Sequence, residues 1–122
     1  MIKILLVDDN PLHATLRKSI LEGRFAEVQR VGDAAEAFCL MEQPQFSEQL
    51  GLVISGLNLP GIGGPAFVAE LHERLPGIPI LVLGAPGEDA ANYKGAWVRF
   101  LPGPFGGEQL LKAANDLLTQ NV

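Results

Sequence analysis

Two adjacent carboxylates, Asp8 and Asp9, close the apolar run Ile2 to Val7 and are the residues of this chain best suited to chemistry. Mg²⁺ is usually held by one or two carboxylates with water completing its shell, so the pair reads either as a weak metal site or as a solvated strand end that enters a helix. The other candidates fall short. His13 and His72 share no motif and are expected on helix surfaces. Cys39, the single cysteine, lies in an apolar helical pattern, where a buried, inert thiol is expected; alone it permits neither an intrachain disulfide nor a cysteine zinc site. Gly61-Ile62-Gly63-Gly64 has neither the spacing nor the lysine of a phosphate loop, and no Ser-His-Asp set or dinucleotide fingerprint accompanies it. An enzyme is therefore not expected.

The chain of 122 residues predicts one domain, spanning 1–122. A hydrophobic fraction of 48% with 19% charged residues is that of a folded globular chain. A net charge of −5 argues against binding to nucleic acid or to an anionic membrane, both of which need a basic footprint. The opening apolar run meets its acids too early to span a bilayer and lacks the features of a signal peptide, so a cytoplasmic location is expected.

Strands and helices alternate along the chain. Ile2 to Val7 reads as a strand, and Asn10-Pro11 starts a helix whose apolar face carries Leu12, Leu16, Ile20 and Leu21 until Gly23. A second strand is predicted at Glu27 to Val31. Asp33 caps a second helix with Ala37, Phe38 and Met41 on one face. The stretch Leu52 to Gly61 supplies a third strand that leads into a Pro-Gly turn, Gly61 to Pro65 form a loop, and a helix with Phe67, Val68, Leu71 and Leu75 follows. Ile78 to Leu83 is a fourth strand, a weakly apolar helix is predicted at 88–94, and Trp97 to Leu101 is a fifth strand. The last helix has the clearest stripe, Leu110, Leu111, Ala114, Leu117 and Leu118. Strands joined by helical crossovers form a parallel sheet covered on both faces, a flavodoxin-like (βα)₅ three-layer α/β fold. Ligands of such sheets bind at the carboxyl ends of the strands, here Asp8 and Asp9, Gly56, Gly84 and Gly103.

In this spacing, with Leu5-Leu6-Val7-Asp8-Asp9-Asn10, Asn58-Leu59-Pro60-Gly61 and Gly103-Pro104-Phe105, the chain resembles the response-regulator receiver domains of two-component signalling over its whole length. The resemblance implies a five-stranded sheet of order 2-1-3-4-5 and a phosphorylation pocket at the strand ends. It also places glycine at three of the pocket's functional positions. Gly56 stands where the phosphoacceptor aspartate belongs, Gly84 where a Thr or Ser bonds the phosphoryl group, and Gly103 where a lysine precedes Pro-Phe. Phosphoryl transfer needs a nucleophilic oxygen, a cation and donors for the equatorial oxygens. Ser55 does not substitute for the missing oxygen, because adjacent strand residues point to opposite faces.

What survives is Asp8 and Asp9 with the Asn58 carbonyl, the family's metal ligands, left without the lysine that offsets their charge. The resemblance thus implies a bacterial pseudo-receiver, independent of phosphorylation, that engages a protein partner or a covalently linked output domain and admits a homodimer. Family members use the face of the fourth helix, fifth strand and fifth helix, where the resemblance places Tyr93, Trp97, Arg99 and the aromatic switch position Phe100. Trp97 itself fits either the core or an exposed contact. The alternative is a domain sensing Mg²⁺ or a small ligand in the cavity above Gly56 and Gly84.

Overall fold

Alternating and continuous apolar runs build the strands, and the computed structural model describes residues 2–56, 58–59, 61–84, 93 and 97–119. β1 (Lys3–Val7), β2 (Glu27–Val31), β3 (Leu50–Gly56), β6 (Ile80–Leu83) and β7 (Val98–Leu101) form one parallel sheet in the order β2-β1-β3-β6-β7. A two-stranded antiparallel sheet, β4 (Asn58–Leu59) with β5 (Ile62–Gly63), takes two numbers in a segment expected to be loop, so the anticipated 2-1-3-4-5 is relabelled. Gly61 turns this hairpin at φ 81°, a conformation open to glycine and strained for other residues.

The period of two along β1 divides the core. Leu5 and Val7 enter the layer shared with Val53, Phe67 and Val82, whereas Ile4 and Leu6 enter the layer shared with Ile54, Leu81 and Leu110. Helices α2 (Ala34–Met41), α3 (Pro44–Ser47) and α4 (Gly64–Arg74) supply the first layer. Helices α1 (Pro11–Glu22) and α5 (Gly107–Thr119) supply the second.

Caps set the helix starts. Asn10 Oδ1 accepts from the backbone N–H groups of Leu12 and His13, and Asp33 Oδ1 accepts from that of Glu36 at 2.8 Å. Pro65 lies in the first turn of α4, where its missing N–H costs nothing, so the helix begins inside the expected loop. α3 was not anticipated; it buries Phe46 beneath the sheet.

The packing corrects the α1 stripe and, on α2, the place of Cys39, while Ala37, Phe38 and Met41 do face the core. α1 buries Ala14 and Leu21, while Leu12 is 82% and Leu16 62% exposed, because the small alanine side chain is what lets the helix approach the sheet. α2 buries Ala34, Ala37 and Met41, which turns Cys39 to the exposed side rather than the core. The helix expected at 88–94 falls almost wholly outside the described residues.

Candidate functional site

Asp8 follows directly from β1 and is 3% exposed, the one buried carboxylate among the described residues. Each of its oxygens is committed. Oδ1 accepts from the Asn10 backbone N–H at 3.0 Å, and Oδ2 accepts from Arg17 Nη1 at 2.6 Å. Its carbonyl accepts from Arg30 of β2 through Nε at 3.2 Å and Nη2 at 2.7 Å, and its N–H donates to the Val31 carbonyl. The Arg17 guanidinium lies over the Phe105 ring, 5.5 Å from its centroid, which adds a cation–π contact to the ion pair. Asp9 is exposed.

Asp8 is thus not left without a cation: its partner comes from α1 instead of the loop after β7. Sequence reasoning missed Arg17, although a signal existed. Asn10, His13, Arg17 and Ile20 recur at spacings of three and four, which puts the arginine on the helix face that looks toward the strand ends.

Gly56 ends β3 beside Asp8. A Cβ there would meet the Val7 carbonyl oxygen at 3.6 Å and Asp8 Oδ1 at 3.9 Å, both ordinary contacts, so the position is bare with room for a side chain. Ser55 is buried and donates its hydroxyl to the Gly56 carbonyl at 2.8 Å. Gly84 differs. A Cβ at 84 would lie 2.2 Å from Phe100 Cζ and 2.8 Å from both Cε atoms, so the Phe100 ring fills the space a side chain would need. Tyr93 stacks on that ring with centroids 5.6 Å apart and planes at 21°. Gly103 precedes a cis peptide bond to Pro104.

The strand ends open into a cavity of about 770 Å³ running between α1 and the start of α5, lined by Asp8, Asp9, Arg17, Gly56, Gly84, Gly103 and Phe105 among others. The volume falls in the range of small-molecule sites. The residues do not favour the weak Mg²⁺ site that is one of the two readings of the acid pair. Arg17 and Asn10 hold both oxygens of Asp8, Gly56 offers no ligand, and no group of three His, Cys, Asp or Glu that could hold a metal occurs among the described residues. Asn58 lies in β4, paired with Gly63 of β5.

The remaining predicted residues surround β7 and all have intramolecular partners. Trp97 is half-buried and stacks on His72 with centroids 3.8 Å apart and planes at 8°, which corrects the expectation of a surface histidine. His72 Nδ1 is buried without a hydrogen bond. Arg99 Nη1 donates to Asp116 Oδ2 at 3.2 Å, linking β7 to α5. That bond, together with one from Lys112, holds the Asp116 carboxyl below its ordinary value of 3.8. A carboxyl depressed by folding contributes stability that is present above its unfolded value and is lost as pH falls through the lower folded one. In a ¹³C NMR titration Asp116 is expected to ionise below 3.8, and Arg99→Ala is expected to move its midpoint upward.

No helix among the described residues is long and apolar enough to cross a membrane. Residues 4–115 match the response regulator receiver domain family. The chain is 28% identical over 121 residues to the C4-dicarboxylate transport transcriptional regulatory protein DctD of Pseudomonas aeruginosa, covering 95% of this chain and 25% of that protein. It is 30% identical over 123 residues to the transcriptional regulatory protein GlrR of Escherichia coli, covering 98% of this chain and 27% of that one. The chain thus spans about a quarter of the length of these relatives. A receiver domain from Clostridium thermocellum superposes with a TM-score of 0.84 at 22% identity, over 98% of this chain and 96% of that one, a likeness of fold. With the match covering nearly all of the sheet and helices that carry this pocket, the chain belongs to the response regulator receiver domain family of two-component signalling.

Proposed function

We propose that this receiver domain works without phosphorylation, as a pseudo-receiver whose output is protein interaction in a bacterial signalling pathway. The observation that carries the reading is Phe100 seated on Gly84: the space for a phosphate-bonding hydroxyl is occupied by an aromatic ring. Gly56 and Gly103 complete it, since neither a nucleophile nor an ammonium group remains at the strand ends. The partner is a protein or an output domain on the same chain, engaged by the surface around Tyr93, Trp97, Arg99 and Phe100. Those side chains are packed against one another, against His72 and against Asp116, so they offer a pre-shaped surface rather than free anchors.

Beryllofluoride or acetyl phosphate with Mg²⁺, followed by amide NMR, tests this. No saturable change is expected around Gly56; a saturable one refutes phosphate independence. Gly56→Asp extends the test. The new side chain has room, but it adds a carboxylate beside Asp8 without supplying a hydroxyl at 84 or an ammonium at 103. Mass spectrometry after acetyl phosphate treatment of Gly56→Asp is expected to show no added phosphoryl group, and robust labelling would show that the other glycines are not decisive.

A second reading rests on the cavity, whose 770 Å³ and mixed apolar and charged wall suit a small organic ligand. A ligand screen read by the amides of Gly56, Gly106 and Leu110 separates it from the first: saturable shifts there support sensing, and their absence leaves interaction as the function.

A further inference from the structure

We propose that Arg17 is the resident cation of the strand-end pocket and excludes divalent metal from Asp8. The Arg17 Nη1 to Asp8 Oδ2 contact of 2.6 Å is a charge-assisted bond between side chains that are 21% and 5% exposed, where solvent screens little. The carboxylate cannot turn to a second cation without loss, because Oδ1 is tied to the Asn10 N–H and the carbonyl to Arg30. The guanidinium is held in its turn by the Phe105 ring. A divalent ion at Asp8 would have to displace a bound arginine and then stand against its positive charge. Asp9, exposed and alone, offers one carboxylate, and Gly56 offers none.

The inference concerns the electrostatics of the pocket and does not depend on what partner the domain engages, so the two readings fail separately. It is tested on the whole chain with MgCl₂ as the only added ligand, by ¹H–¹⁵N spectra that include the arginine Nε–H region. The wild type is expected to show no saturable shift at Asp8, Asp9 or Gly56 into the millimolar range, with the Arg17 Nε–H signal unchanged. Arg17→Gln is expected to show saturable Mg²⁺ shifts at Asp8 and Asp9 within the millimolar range, a gain of about tenfold or more over the wild-type limit, the scale on which a neighbouring charge shifts an ionic equilibrium. Arg17→Lys, which keeps the charge, is expected to resemble the wild type. Millimolar Mg²⁺ binding by the wild type, or an Arg17→Gln variant that gains none, overturns the proposal. Should Arg17→Gln fail to fold, the wild type decides alone: an Arg17 Nε–H signal that moves with Mg²⁺ overturns the proposal, and one that stays fixed upholds it.

Discussion

Arg17→Ala is expected to lower the unfolding free energy by about 3 kcal/mol, the low end of the range for breaking a buried ion pair. The low end applies because the guanidinium side chain keeps 21% of its exposure, whereas Asp8 keeps 5% and would be left a buried, unpaired charge. The loss has three physical parts: the ion pair, the contact of the guanidinium with Phe105, and the desolvation of an Asp8 carboxylate no longer compensated. Urea denaturation followed by circular dichroism measures it. Asp8→Asn in the Arg17→Ala background removes the stranded charge and is expected to recover part of the loss. A double variant no more stable than Arg17→Ala would show that the pair's charge is not what the fold depends on.

Gly84→Thr is the second large effect, expected to cost about 1–3 kcal/mol, as overpacking of a filled core does. The added Cβ would come within 2.2 Å of Phe100 Cζ, so the ring must leave its seat and with it the stack on Tyr93. Near-ultraviolet circular dichroism and the Phe100 ring shifts report that departure. Phe100→Ala in the Gly84→Thr background vacates the seat, and the double variant is expected to be more stable than the sum of the two single losses predicts, by about 0.5–3 kcal/mol of coupling. Additive losses would mean that residue 84 and the ring do not compete for one volume.

The sheet was legible because period two and short β-branched runs report strands whatever packs on them, and β1 to β3 fall close to where those runs lie. The helix faces were less so. Leu12 and Leu16 have the right spacing for a core stripe, yet Ala14 is buried beside the expected Leu21 and they are not; hydrophobicity alone does not record which face has a side chain small enough for close approach. The Cys39 expectation fails because α2 is apolar nearly all round, so hydrophobicity does not mark which of its positions is left exposed.

At the site, the three glycines were plain in the sequence as absences. What the fold does with them was not. Arg17 lies nine residues from Asp8 and meets it only after α1 folds back along the strand end. Phe100 meets Gly84 through the β6–β7 register, where Val82 pairs with Phe100 and Leu83 with Leu101. His72 reaches Trp97 across the same layer, from a helix with no sequence signal tying it to β7.

The ring over Gly84 has a consequence for how this domain carries information. A side chain at 84 would give Phe100 a competitor, and two competitors for one space make a device with two settings. On the reading proposed above, glycine leaves the ring unopposed in its seat, and Phe100 has one setting. A component with one shape cannot report by changing; it reports by being there. If the domain is such a component, the signal its partner reads is a count of molecules, fixed by how much of the protein the cell makes and how soon it is removed.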